Sequence, residues 1–320
     1  PTLDPAVSQD SVSINCGENL FLGLTHLDPV TVDVLPELAT DWDVSDDGLV
    51  WTFHMRDDAR WVRYNVGQEV VEDLGPVTAG DVVYGTKRTL NPNTASPYSY
   101  VLYIIKGGQD FNTADPDAMS AEEFQALEDA VGISAIDDYT VEVTLESPAG
   151  FFGSIASMWV MYPQPQAVIE EKGERWIEPG FIVTNGPYVL TEWIHDDSLI
   201  MEKNPFYYDA DSVQIERIEH VMVVEASTAM AMYEAGELDV APDVPLEDMD
   251  RIKADPILSQ ELTTPPSPCQ YYYGFVTTKP PVDNVLVRKA LSAAVDRKGL
   301  VENVLKGGQV PANTFAPSMI

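Results

Sequence analysis

Cysteine is nearly absent from this chain, with only Cys16 and Cys269 in 320 residues. Two thiols make no disulfide framework and no CxxC metal knuckle; they pair with each other or stay free. Basic residues are scarce as well, 18 against 52 acidic ones, which leaves a formal charge of −34. Proteins hold a phosphate backbone by neutralising it with Lys and Arg, so nucleic acid and anionic membrane surfaces are excluded as expected partners. Such acidity points to solubility or to a saline or hot habitat rather than to a cationic ligand. A long apolar run is also missing. The uncharged stretch from Ser147 to Ile169 is broken by Pro148, Gly150, Gly153, Pro163 and Pro165. Its dense part, FFGSIASMWVMY (151–162), falls short of the ~20 residues that a bilayer span needs, and is expected to be buried or to line a cleft. Catalytic signatures are lacking too. No GxSxG elbow or strand-borne GxGxxG occurs, and His26, His54, His195 and His220 form no HExxH pattern. Asp41, Asp43 and Ser45 begin like a calcium loop, but Asp46 stands where glycine is needed and Thr52 where glutamate is.

What is present is ordinary globular material. With 45% hydrophobic residues, the chain can bury a substantial core, and its length corresponds to about two domains at ~100–200 residues each. WTFHM (51–55), YTVEVTL (139–145), YVLTEW (188–193) and RIEHVMVV (217–224) alternate as strands do. Thr78 with Asp81, and Ser120 with Glu123, have the spacing of capping boxes that open helices. Asp47-Gly48 supplies a reversal between strands. From 283 the pattern turns helical. Val287, Ala290, Leu291 and Ala294 form one stripe, and Leu300, Val301, Val304 and Leu305 form a second, ended by Gly307 and Gly308. Strands alternating with helices indicate an α/β fold. Aromatic residues cluster at PYSYVLY (97–103), MWVMY (158–162) and the tyrosine triplet 271–273. In a strand, Tyr271 and Tyr273 face one way and Tyr272 the other, so the three cannot share one core.

The segments LDPA, ENLFLGL, LPELATDWDVSDDGLVWTFHMRDDARW, PVTAGDVVY, NPNTASPYSY, DDYTVEVTL, VTNGPYVL, EKNPFYYDAD, YEAGELDV, CQYYYGF and PPVDNVLVRKALSAAVDRKGLV follow one another along the chain. Through them it resembles the family 5 solute-binding proteins of ABC importers, most of all the oligopeptide- and dipeptide-binding members. The resemblance implies a periplasmic-binding-protein-like clamshell of type II, with two α/β lobes, two crossing strands between them and an extra subdomain in lobe I. Carried onto this chain, 1–21 and 166–268 form the main part of lobe I and 22–165 the extra subdomain. Residues 269–278 form a hinge strand and 279–320 open lobe II. Relatives continue far past the position of Ile320, so the chain is expected to be a fragment truncated early in lobe II.

The resemblance also implies ligand positions. Gln9 stands where peptide-binding relatives have a glutamate, so a charge contact is lost there. Ser11 falls where the backbone pairs with peptide as an added strand. Tyr98 matches a tyrosine that packs over the ligand, Asp243 a cleft asparagine in a loop one residue shorter, and Tyr272 a tyrosine near hinge and ligand. Cys269, Tyr271 and Gly274 belong to the hinge, with Gly274 relieving crowding, Pro280-Pro281 ending the pairing and Asp283 capping the next helix. WVRYNVGQEVVEDLGPVT replaces a tight family turn and is expected to lengthen a surface loop.

The implied function is capture of peptides outside the cytoplasm and delivery to an ABC importer permease, by a monomer that is periplasmic or lipid-anchored. No cofactor, metal or catalytic residue is implied. The alternatives are an oligosaccharide, nickel or other small solute within the same family and, more remotely, a secreted hydrolase with a carboxylate pair at glycosidase spacing.

Overall fold

A computed structural model describes residues 2–264 and 269–315. It contains two compact units, Pro1–Met222 and Val223–Ile320. In chain order the first unit holds α1 (Ser11–Leu20), β1 (Thr25–Leu27), β2 (Val34–Pro36), β3 (Ala39–Val44), β4 (Val50–Met55), β5 (Arg60–Asn65), β6 (Val70–Pro76) and α2 (Ala79–Leu90). There follow α3 (Gly108–Asn112), α4 (Ala121–Asp129), β7 (Ile133–Asp137), β8 (Thr140–Thr144), α5 (Phe152–Ile155), α6 (Gln166–Lys172), β9 (Tyr188–Ile194), β10 (Ser198–Lys203) and β11 (Arg217–Val221).

These strands pair antiparallel in two main sheets, ordered β3-β4-β8-β7 and β11-β10-β9, and in two separate hairpins, β1-β2 and β5-β6. Period-2 alternation explains which faces are buried. Trp51, Phe53 and Met55 of β4 point inward with Val141 and Val143 of β8, while the residues between them are partly exposed. Phe152 meets Trp51 edge-on and Phe53 at a tilt, with ring centroids 5.5 and 6.2 Å apart, arrangements that suit aromatic quadrupoles. The proline- and glycine-broken segment is buried as expected, with Phe152, Val160 and Met161 fully inside. Gly48, at φ +71°, makes the β3–β4 reversal.

Helix α2 begins at the expected capping box, Asp81 accepting from the Thr78 amide at 2.7 Å and hydroxyl at 2.9 Å. The same carboxylate accepts the Trp61 indole N–H at 3.1 Å, tying the helix start to β5. Ser120 and Glu123 cap α4 in the same way. Along α2, Gly85 faces the backbone of 162–164. A Cβ there would lie 2.2 Å from the Tyr162 carbonyl oxygen, so only glycine allows this approach.

Two local expectations are corrected in this unit and the next. The stretch expected to lengthen a surface loop is the paired hairpin β5–β6, because Arg60 bonds Asp73 at 3.0 Å and Arg63 bonds Glu72 at 2.7 Å across the strands. Its turn is closed by the Asn65 side chain accepting from the Gly67 and Gln68 amides. In the second unit, the first helix of the helical tail is capped by Asn284, not Asp283; its side chain accepts from the Leu286 amide at 2.9 Å.

The second unit contains α7 (Ala226–Glu234), α8 (Met249–Ala254), α9 (Leu258–Glu261), α10 (Val285–Ala294) and α11 (Arg297–Gly299). The second apolar stripe winds as a π-helix, Leu300–Leu305, and stops at Lys306, which is left-handed at φ +55° just before the glycine pair. Arg251 joins Glu234 of α7 at 2.6 Å and Asp248 at 3.1 Å.

The close approach at Gly85 gives a direct test. Gly85→Ala should destabilise the first unit by about 3 kcal/mol, the upper range for an added methyl with no room to shift. Urea denaturation followed by tryptophan fluorescence measures it, and an unchanged midpoint would contradict the packing described.

Candidate functional site

The opening LDP segment leads to Gln9 and Ser11, the first two positions expected to meet a ligand, and Asp4 shapes it. Its carbonyl accepts the Ser8 amide at 3.0 Å and the Ser8 hydroxyl at 2.9 Å, closing a tight loop, while its carboxylate accepts the Ala6 amide at 3.0 Å. Arg88 of α2 then grips that carboxylate through two 2.7 Å bonds and donates a third, also 2.7 Å, to Gln164. The Trp176 indole N–H completes the set at 3.0 Å. Both charged side chains are largely buried, with 9% of Asp4 and 17% of Arg88 exposed. Burial alone would lower the Arg88 pKa, but the Asp4 hydrogen bonds and charge outweigh it and raise it.

Beyond this anchored loop Gln9 is exposed. Asp10 caps α1, accepting from the Ser13 amide at 2.9 Å and hydroxyl at 2.7 Å. Burial pushes its pKa up, yet these bonds prevail and hold it below the usual range. Ser11 is therefore the first residue of a helix and not part of an extended segment. An Asx cap starts the helix one residue earlier than a strand-like ligand contact at Ser11 would require. As a first-turn amide, its N–H still lacks an intrahelical acceptor and stays open to a ligand.

Tyr98 reaches the same place from a distant part of the chain. It precedes the 3₁₀ turn Ser99–Ile104, and its ring meets Trp159 edge-on with centroids 5.2 Å apart, while Tyr100 stacks on its other side at 5.9 Å. The Trp159 indole N–H donates to the Ser8 carbonyl at 3.2 Å. One side chain thus joins Tyr98 to the residue preceding Gln9. Trp159 was visible in sequence only as part of an aromatic cluster; nothing local marks Ser8 as its partner. Cavities of ≈340 Å³ at Asp81, Gln166 and Glu170, and of ≈350 Å³ at Lys87 and Lys106, include none of these positions.

The remaining positions belong to the second unit. Asp243 is exposed, as are Tyr271, Tyr272 and Tyr273. Among the described residues no ladder partner exists for 269–278, so the stretch expected as a hinge strand carries no assigned strand. The alternation of its tyrosines survives, with Tyr271 and Tyr273 in ring contact at 5.8 Å and Tyr272 against Phe315 at 5.3 Å. Gly274 is not crowded, since a Cβ would meet only the Tyr272 ring at 4.0 Å. Cys269 is an exposed free thiol; Cys16 is free and buried, which together with Asp10 pushes its pKa up to about 11.

A second buried carboxyl, Glu37, had no sequence signature. It follows β2, with its side chain 15% exposed and the His26 Nδ1 3.8 Å away. Burial pushes its pKa up to about 7, against a partial pull downward from Arg56. Arg56 itself is paired with Asp58 at 2.6 Å and lies 3.1 Å from the Tyr208 ring centre. The Tyr162 and Tyr207 phenols are pushed up by burial first and then by neighbours that include Glu37.

Comparison with known proteins adds independent findings. The family described as bacterial extracellular solute-binding proteins, family 5 Middle, matches residues 33–320. The chain is 35% identical over 318 residues to the periplasmic oligopeptide-binding protein OppA of Escherichia coli K12, covering 99% of this chain and 54% of that protein. It is 33% identical over 315 residues to the dipeptide-binding protein DppE of Bacillus subtilis 168, covering 98% and 53%. The solved structure of the Escherichia coli murein tripeptide binding protein MppA superposes with a TM-score of 0.84 at 30% identity, covering 99% of this chain and 58% of that one. The chain spans about half the length of the curated relatives it matches.

Two measurements probe the buried charges. Arg88→Ala leaves the Asp4 carboxylate without its cation and should cost about 3–5 kcal/mol in urea unfolding; a loss below about 1 kcal/mol would mean that Trp176 and the Ala6 amide suffice. For Glu37, the folded-state pKa lies above the ordinary value of 4.5, so the folded chain holds its proton to higher pH than the unfolded one. Its contribution is full below about pH 4.5 and is lost as pH rises through 7, an effect on the order of 3 kcal/mol. Glu37→Gln should flatten this part of the stability profile between pH 5 and 8, and an identical slope in both proteins would refute the assignment.

Proposed function

We propose, from the premise that this chain belongs to the bacterial extracellular solute-binding proteins of family 5, that it captures peptides outside the cytoplasm for an ABC importer permease. The observation that carries this reading is the junction of Ser8, Trp159 and Tyr98, which sets an aromatic wall beside the exposed Gln9 and the open amide of Ser11. Main-chain hydrogen bonding to a peptide, with tolerant contacts for its side chains, suits such a surface. Relatives named as oligopeptide-, dipeptide- and murein tripeptide-binding proteins support the choice of peptide over other solutes.

Gln9, Ser11 and Tyr98 are assigned to the ligand, along with Asp243 and Tyr272, and Cys269, Tyr271 and Gly274 to the hinge. In this reading 1–21 with 166–268 form the main part of lobe I, 22–165 its extra subdomain, 269–278 the hinge and 279–320 the opening of lobe II. Capture proceeds by hinge closure, the ligand favouring the closed form through contacts it makes only there. No bond is made or broken, and the protein acts as a monomer. Members of the family are extracellular or periplasmic, and among the described residues no helix is long and apolar enough to cross a membrane. The family membership supports our reading that this chain works outside the cytoplasm, periplasmic or lipid-anchored.

Titration calorimetry with a tri- to pentapeptide pool tests the reading, with oligosaccharides and Ni²⁺ as parallel ligands. Peptide binding is expected, and Tyr98→Ala should weaken it by about threefold to tenfold, the worth of an aromatic contact. Binding of an oligosaccharide or Ni²⁺ without peptide would transfer the protein to the other ligand classes of its family.

A further inference from the structure

Trp159 is held by opposite requirements on its two sides. The residues that follow it in its 3₁₀ turn, Val160 and Met161, are fully buried, which anchors the turn and leaves Trp159 partly buried, packed against the core with part of its surface open. Its N–H is committed to the Ser8 carbonyl. Ser8 cannot swing away, because its own amide and hydroxyl both donate to the Asp4 carbonyl, and Asp4 is fastened to Arg88 and Trp176. The ring faces left over are apolar surface, continued by Tyr98 and then by Tyr100, which is 59% exposed. Val12, one residue beyond Ser11, is 62% exposed. No charged side chain among the described residues is hydrogen-bonded to Trp159, Tyr98 or Tyr100, and Gln9 is neutral; the one charge beside them on the opening loop is the Asp10 carboxylate, which accepts from Ser13.

We propose that Trp159 is a specificity-determining and positioning residue of this site, favouring peptides that place an aromatic or large apolar side chain against the Trp159–Tyr98–Tyr100 wall. The inference rests on the peptide-binding reading and goes beyond it by naming the side-chain class. An aromatic ligand side chain adds offset or edge contacts with these rings and covers apolar surface, each favourable in water. A ligand carboxylate at the same place would lose hydration without gaining a partner of opposite charge, and would be repelled by Asp10. Through Ser8, the indole N–H also fixes the backbone direction at Gln9, so ring and hydrogen bond make separable contributions.

The test is calorimetry on the whole chain with Ala-Phe-Ala, Ala-Ala-Ala and Ala-Glu-Ala. Wild type should bind Ala-Phe-Ala about threefold to tenfold tighter than Ala-Ala-Ala, and Ala-Glu-Ala no tighter than Ala-Ala-Ala. Trp159→Leu should bring the first ratio close to one. Trp159→Phe, which keeps a ring but loses the N–H, should retain most of the ratio while weakening all three peptides by a common factor of about three to ten. Tyr100→Ala alters an exposed ring, leaves the fold intact, and should lower the same ratio; it decides the matter if Trp159→Leu does not fold. An unchanged ratio in Trp159→Leu or, failing that, in Tyr100→Ala, with peptides still bound, overturns the inference and leaves the peptide-binding function standing. Failure of wild type to bind any of the peptides or the mixed pool overturns both.

Discussion

The first unit depends on a buried ion pair. Removing a carboxylate and a guanidinium from water costs several kcal/mol each, and only near-ideal geometry offsets that. Asp4 and Arg88 have it, through two parallel 2.7 Å bonds, with Trp176, Gln164 and the Ala6 amide taking up further hydrogen-bonding capacity. Apart from the neighbouring Ala6, these partners come from segments 76 to 172 residues apart, so one charge pair gathers the opening loop, α2 and the chain that follows Tyr162. Gly85, one turn before Arg88, is what lets α2 lie against that chain closely enough for Gln164 to be reached. The features proposed to face the ligand follow from this gathering. Ser8 is placed by Asp4, Trp159 by Ser8, and Tyr98 rests on Trp159.

Against a formal charge of −34, the way cations are used is informative. In the first unit Arg56, Arg60, Arg63 and Arg88 are all tied into pairs with Asp58, Asp73, Glu72 and Asp4. The first three pairs are partly exposed and contribute little to stability individually; what they do is set the path of the chain, as in the β5–β6 hairpin. The large remainder of carboxylates is unneutralised and generates a long-range negative field, which solvent salt screens over roughly 10 Å. Glu37 stands apart from most of them, as the carboxyl whose pKa burial raises to about 7. Its burial is relieved by retaining a proton toward neutral pH, while Arg56, the nearest cation by charge effect, is already engaged with Asp58 and Tyr208.

The sequence by itself determined whatever is local in physical origin. The alternation in β4 and β8, the capping boxes at Thr78 and Ser120 and the glycine reversal at Gly48 all rest on interactions within a few residues, and each formed as read. The ordered set of motifs was enough to identify the family. The local reading failed where two local signals competed, as at Asp283 and Asn284, or where pairing depended on charges 9 to 13 residues apart, as in the hairpin at 60–76.

Only the tertiary structure decided which distant residues meet. Nothing at Asp4 reveals that its counter-ion is Arg88, 84 residues on, and nothing in MWVMY reveals that Trp159 will seek a carbonyl 151 residues earlier. Ser11 was placed by resemblance on an extended backbone, yet the Asp10 cap draws it into a helix. Periodicity and capping act over one or two turns of chain. A buried charge or an indole N–H must instead find whatever complementary group the folded topology brings within 3 Å, and that choice is made by three-dimensional packing.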